Sequence, residues 1–380
     1  MGALHYPRQE PPAWVYHTQA DTGEHWGGRA YPYVYFHTSD GLWGAAHYGL
    51  TRPVGFVDRP EPDAAALNVD AGASSEGSYA VVLDARAPGS WPGWRAGVTL
   101  TAARDNRLGY YGLGNDTPYA PDSVTPSTPF FYRVSRSYES AVATIQRRVF
   151  GPLRALAGVT IERTDFRALP GASAFRRDVA SDRVDSTTIP FTDEAVRAGL
   201  VLDTRDNELD PHAGVLVEGL FASGSRYTRT TAALRGYAHP LARLVVAGRL
   251  AGERMGGSPP LASELRMESS EGSFLALGGY HSLRGDYDAR FVGPGKLLGD
   301  IEARYVLFSV PSLLEVIVVA FYDTGRVFGP GEAFRLTVTG LHQSGGGEVA
   351  IRFLRNSLLV VGGGSDGEGT QFLFGTQWSY

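Results

Sequence analysis

The chain has 380 residues, 43% of them hydrophobic and 20% charged, with a formal net charge of −5 at pH 7 and no cysteine. The missing cysteines exclude a disulfide framework and a thiolate metal site, and an acidic balance without a basic, aromatic-interleaved patch argues against nucleic acid as a partner. No run approaches the ~18 apolar residues of a spanning helix, which leaves open a chain that crosses a membrane in strands, where hydrophobicity hides in alternation.

The 48 glycines, 19 tyrosines and 18 phenylalanines suit short strands, tight turns and aromatic girdles. Residues 1–30 are rich in Pro, Gly and charge and read as an extended lead-in to a barrel domain over 31–380. The opening MGALHYPRQEPP lacks the basic and apolar blocks of a signal peptide, so an exported protein with this start is expected to be a mature or trimmed form. Strands are expected near 31–37 and 42–50, with Ser39-Asp40-Gly41 between them as the turn. Residues 51–77, containing Pro53, Pro60 and Pro62, read as a long connection. Strands near 78–86 and 94–103 precede a loop over 104–127, which has turn chemistry at Asn115-Asp116-Thr117-Pro118. Strands near 128–137, 139–150 and 153–165 follow, and 166–193 reads as a polar, solvent-facing loop.

From Ala195 the alternation is cleaner. Strands are expected near 195–205, 213–223, 228–238 and 242–252, then a long loop over 253–296, then strands near 297–309, 314–325, 347–354, 356–363 and 370–380. The sum is sixteen, with fourteen as the alternative if the weak early strands fail. Even parity puts both termini on one side, the periplasmic one, and the long loop on the other. In the strand at 298–307, Asp300, Glu302 and Arg304 share one face while Ile301, Ala303, Tyr305 and Leu307 share the opposite one. That division reads as polar lumen and lipid-facing wall. Near the end, Phe372, Phe374, Trp378 and Tyr380 are expected together on the lipid face, opposite Gln371, Gln377 and Ser379. The fold class is therefore all-β: a closed antiparallel transmembrane barrel, because open strand edges cannot be left in hydrocarbon.

The stretch Leu277 to Tyr305 organises the rest. Arg284, with its permanent charge and planar fork of donors, precedes the turn glycine Gly285, and Glu302 and Asp323 on the next two strands are its expected carboxylate partners. Leu283-Arg284-Gly285, with Asp286 in an aromatic position and Tyr287 one place later, resembles the loop motif of the bacterial surface antigen superfamily. That superfamily comprises the outer-membrane assembly and secretion barrels that include BamA-like and TamA-like proteins. Phe321, Asp323 and Gly325 resemble its Phe-x-Asp-x-Gly motif. Asp203 to Asn207 with Pro211 and Gly214 resemble a further family pattern, and Tyr111-Gly112-Leu113-Gly114-Asn115 a weaker one. The resemblance implies a long loop folded into the lumen and pinned by a latch of Arg284, Gly285, Glu302, Phe321, Asp323 and Gly325. It implies a turn motif carried by Asp203, Arg205, Asp206, Pro211 and Gly214. Gly375, Trp378 and Tyr380 resemble the terminal targeting signal of outer-membrane barrels, with Leu373 as a departure.

The family insert proteins into the outer membrane, or move substrates across it, without a catalytic residue or cofactor. The implied location is the bacterial outer membrane. The implied partners are its lipids, client outer-membrane or secreted proteins, and the assembly machinery for the barrel's own insertion. The lead-in is too short for a periplasmic POTRA domain, which leaves an excised barrel or a stand-alone relative.

Two other classes stay in view: a passive porin-like channel, and an outer-membrane acyl hydrolase using His342 as base to Ser344, two residues on along one strand face. The hydrolase has no assignable orienting group, and the adjacent Gly345-Gly346-Gly347 reads as a periplasmic turn. Asp203, Asp206, Glu208 and Asp210 cluster acidic oxygens but lack calcium-loop spacing and read as a solvated turn. Asp366-Gly367 reads as a hairpin turn.

Overall fold

The computed structural model describes residues 26–53, 63–310, 313–353 and 357–380. Eleven strands come first: β1 (Gly27–His37), β2 (Gly41–Pro53), β3 (Asp63–Ser74), β4 (Tyr79–Trp91), β5 (Trp94–Gly109), β6 (Arg133–Phe150), β7 (Leu153–Ala168), β8 (Phe191–Asp203), β9 (Gly214–Ser223), β10 (Tyr227–Leu241) and β11 (Leu244–Gly257). The long loop carries the two-residue strands β12 (Arg266–Met267) and β13 (Phe274–Leu275), which pair with each other. The wall resumes with β14 (Gly295–Val310), β15 (Leu314–Phe328), β16 (His342–Phe353), β17 (Ser357–Ser365) and β18 (Thr370–Gly375). Leaving out β12 and β13, the strands form one sixteen-stranded sheet in sequence order, with β11 pairing β14 across the loop. It curls until β1 meets β18: Tyr35 stacks on Phe374 at 5.1 Å between ring centroids.

The count of sixteen agrees with the sequence reading, but two errors cancel. The strand β3 lies inside the expected connection 51–77; its sequence DAAALNVDAGAS is small, polar and poor in β-branched or aromatic residues, so propensity hides it. Its predecessors Pro60 and Pro62 lie outside the described residues. Conversely, 128–137 and 139–150 belong largely to one strand, β6, of 18 residues. That exceeds the roughly 9–11 residues a bilayer crossing needs, so β6 continues beyond the membrane. The first strand begins at Gly27 rather than Tyr31.

The wall is inside-out relative to a soluble protein. In β14, Asp300, Glu302 and Arg304 are buried, whereas Ile301, Tyr305 and Leu307 are 53%, 44% and 60% exposed. Period-two alternation thus sends charge to the lumen and hydrocarbon outward, as expected. Among the described residues no helix is long and apolar enough to cross a membrane.

Among the described residues, the long excursions collect at the end opposite the start of β1, the outer end of such a barrel. The segment 166–193 is only partly a polar solvent loop. It contains helix α1 (Ala174–Ala180), capped by the Ser173 side chain accepting from the Arg176 N–H, with Ala174 and Phe175 buried. They join Tyr110, Tyr111, Val184 and Val292 in an apolar cluster that roofs the outer end. The roof exists because the long loop turns inward and gives these side chains something to cover.

Candidate functional site

Arg284 is 1% exposed and sits inside the barrel. Its Nε and Nη2 donate to Asp323 Oδ2 and Oδ1 at 2.9 and 2.7 Å, and Nη1 donates to Glu302 Oε2 at 2.6 Å. Its backbone N–H donates to Asp323 Oδ2 at 2.9 Å. Glu348 of β16 lies 3.8 Å from the same guanidinium, and the Phe321 ring lies beneath it, 3.8 Å from centroid to Cζ. Three neighbouring strands, β14 to β16, thus converge on one cation. A planar fork suits this work, since it satisfies two carboxylates and still presents a face to an aromatic ring.

Two glycines make the close approach possible. A Cβ on Gly285 would come within 2.6 Å of the Ser365 backbone carbon, so the loop tip rests directly on β17; its N–H donates to Ser344 Oγ at 3.1 Å. A Cβ on Gly325 would meet Leu297 O at 2.8 Å and Leu277 at 3.1 Å. Its absence lets Leu277 and Leu283 pack with Met267, Phe291 and Val327 under the roof.

Asp286, in the family's aromatic position, is buried, and its Oδ2 has no hydrogen-bond partner. Burial and, after it, the neighbouring Asp366 together push its carboxyl up to about 9. The aromatic role passes to Tyr287, which stacks on Tyr111 at 5.9 Å and lies tilted against Tyr119 at 5.3 Å.

The sequence reading missed a second anchor. Arg290 donates from Nε and Nη2 to Glu368 at 2.7 and 2.8 Å and from Nη1 to Thr117 Oγ1 at 2.9 Å. The Tyr111 to Asn115 element also belongs to the site. Gly114 N–H donates to Val292 O at 2.8 Å, and Asn115 Oδ1 accepts from Val327 N–H at 3.1 Å. Its motif was legible; its docking against the loop was not.

On the terminus side, the turn motif holds the loop from below. Asp203 accepts from Arg154 and Arg205, and Arg205 also reaches Glu271 of the loop at 2.6 Å. Asp206 Oδ1 accepts from the His212 and Ala213 N–H groups, and buried Pro211 leads to Gly214 at φ +103°. The acids of this turn do not converge: Glu208 pairs with Arg95, and Asp210 with Arg352. A cavity of about 730 Å³ lies between turn and loop, lined by Arg95, Arg136, Arg197, Arg235 and the C-terminal tail.

That tail departs from expectation. Phe372 faces outward, but β18 ends at Gly375, and Trp378 and Tyr380 turn into the lumen. A side chain at Gly375 would strike the Tyr280 ring, and Tyr280 OH donates to Gln377 O at 2.7 Å. Trp378 Nε1 donates to Asp210 Oδ1 at 2.8 Å, and its ring lies 3.9 Å from the Arg304 guanidinium. The lumen supplies what the lipid face lacks, a cation for the ring face and a carboxylate for the indole N–H.

The pair His342 and Ser344 stands at the outer end of β16, not in a periplasmic turn. His342 Nε2 lies 3.0 Å from Asn115 O and its ring stacks on Phe291 at 3.7 Å, while Ser344 holds Gly285. The two residues are engaged in docking the loop, each with its own partners.

A family model described as the Omp85 superfamily domain matches residues 67–352. No curated protein matches the sequence. Among solved structures, the chain is similar to BamA from Haemophilus ducreyi lacking POTRA domains 1-3, at 13% identity and a TM-score of 0.53 over 91% of this chain and 68% of that one. It is also similar to CdiB from Escherichia coli, at 10% identity and a TM-score of 0.58 over 92% of this chain and 59% of that one. What these share with it is the barrel fold. With the loop-in-lumen geometry above and a domain match over most of its length, this protein belongs to the Omp85 superfamily of outer-membrane β-barrels.

Proposed function

We propose that this barrel inserts proteins into a bacterial outer membrane, or moves them across it, by parting the wall between β1 and β18. The carrying observation is the seam. Every other neighbouring pair of wall strands shares a ladder, but β1 and β18 stand at opposite ends of the strand order. Across the gap, Phe372 N–H donates to Thr38 Oγ1 at 3.3 Å, Tyr35 stacks on Phe374, and Phe36 meets Phe372 edge-on at 6.4 Å. Rings slide apart at a lower cost than a ladder unzips, and an exposed strand edge is a template for an incoming strand. The latch of Arg284, Glu302 and Asp323 would keep the lumen loop fixed to β14–β16 while the seam moves.

The porin reading has no observation in its favour, since the loop folds into the lumen beneath an apolar roof and leaves a cavity of about 730 Å³ below it. The test is a disulfide between Tyr35→Cys and Phe374→Cys. Reconstituted client insertion should stop on oxidation and return on reduction. Undiminished insertion through the locked seam would overturn the proposal.

A further inference from the structure

The long loop touches both edges of the seam at the outer end. On one side, Asp288 Oδ2 lies 3.0 Å from His37 Nε2, the last residue of β1. On the other, Arg290 holds Glu368 in the β17–β18 turn, Asp286 abuts Asp366 of the same turn, and Gly285 rests on β17 at Ser365. Residues 285–290 therefore bridge the gap that the sheet leaves without a ladder. The two sides differ in chemistry. The guanidinium of Arg290 is charged at any physiological pH, whereas His37 is charged only when protonated.

We propose that this segment is a clasp across the seam, and that protonation of His37 sets how readily the seam parts. The inference rests on the reading that the seam opens, and it names what regulates that opening. The His37 side chain is 40% exposed and Asp288 25%, so solvent protons reach the imidazole while the carboxylate is more sheltered. Burial works against the Asp288 charge, but His37, Arg133 and His281 together hold the carboxyl below its usual range.

Other charged groups face the pair. Asp40 of the β1–β2 turn adds attraction to a protonated His37, Arg133 at the start of β6 opposes it, and His281 of the loop faces Asp288. Ser39 Oγ lies 3.1 Å from His37 Nδ1 and orients the ring.

The sign follows from the pair. An imidazole ordinarily titrates near about 6.5. With the imidazole protonated the clasp is an ion pair; once it loses its proton the pair loses one charge and β1 is held less firmly. Because the pair is partly exposed, the expected effect is modest, about three-fold in the open-to-closed ratio.

The test uses the full chain in lipid nanodiscs, every version carrying Asp286→Asn so that this carboxyl does not titrate, with nitroxide labels at Leu42→Cys and Val361→Cys, outward-facing positions on β2 and β17, the strands that flank the seam. Distances are measured by double electron–electron resonance at about pH 5.5 and about pH 8.5, either side of the imidazole range. The parent should gain open population at the higher pH. His37→Arg should stay closed at both, and His37→Gln should resemble the high-pH parent at both. A parent distribution that ignores pH, or a His37→Gln chain that still responds to it, would overturn the clasp. Because the Gln and Arg variants act in opposite senses, poor folding of one leaves the other decisive. The Tyr35–Phe374 disulfide separates the two proposals. If locking stops insertion while distances ignore pH, only the clasp fails; if distances follow pH while insertion survives locking, only the seam mechanism fails.

Discussion

Arg284 and Asp323 meet at three points: both oxygens of the carboxylate accept from the guanidinium, and one of them also accepts the backbone N–H of Arg284. The side chain and the main chain of the loop tip are therefore fixed by a single residue of β15. Asp323→Ala should release the main-chain N–H and two arms of the fork at once, leaving Glu302 as the remaining close partner, an effect on the order of 1–3 kcal/mol for each buried donor left unpaired. Single-channel recordings in planar bilayers should change from mostly closed to open or noisy, as they should for Arg284→Ala. Arg284→Lys should not restore the quiet state, because an ammonium cannot span Asp323 and Glu302 as the fork does. Identical steady pores in parent and variants would mean that Arg284 pins nothing.

Gly285→Ala tests the docking of backbone on backbone. The added methyl would lie 2.6 and 2.7 Å from Ser365 backbone atoms, which cannot swing aside as a side chain could. The loop tip should lift from β17 and become cleavable by added protease in intact proteoliposomes. Gly345→Ala is the control: its methyl would meet nothing closer than 3.4 Å and should leave the loop protected.

Much of this site was legible in the sequence because its signals are of residue type. An arginine beside a glycine, and acids alternating with apolar residues on the following strands, carry their chemistry on their face. What was not legible depended on direction and distance. Arg290 finds Glu368 78 positions away, so no local pattern marks it. The aromatic spacing of Phe372 to Tyr380 suits a lipid face, and the inward partners, Arg304 and Asp210 for Trp378 and Arg249 for Tyr380, explain why these two leave it. Gly345 to Gly347 read as a turn, yet they lie in β16, where a Cβ on Gly346 would strike Gly363 O at 2.1 Å and Phe321 at 2.7 Å. Glycine within a strand there records a close approach of neighbours, not a reversal.

Trp378→Ala should weaken the barrel rather than its export alone. The indole is buried against Arg304 and hydrogen-bonded to Asp210, and removing a buried Trp costs about 3–5 kcal/mol. The expected result is a lower temperature for the heat-induced mobility shift on gels, in protein refolded into detergent. An unchanged transition would mean that the inward tail contributes nothing to holding the wall.

Asp286 supplies a pH dependence of its own. Its carboxyl is raised from 3.8 to about 9, first by burial and then by Asp366. A docked-state value above the undocked one means that docking is fully favoured below the lower value and weakens as pH rises through the upper one. Protease cleavage of the loop should therefore increase between those limits. Asp286→Asn should flatten the rise while leaving any dependence carried by His37 intact.

The inward turn at Gly375 leaves the two margins of the wall unequal: β18 has 6 residues, β1 has 11. Only the outer part of β1 has β18 beside it. Among the described residues, no strand lies beside the rest of β1 on this edge. In hydrocarbon an unanswered peptide group costs several kcal/mol, so on the proposed mechanism that stretch of edge is where an incoming strand would add first.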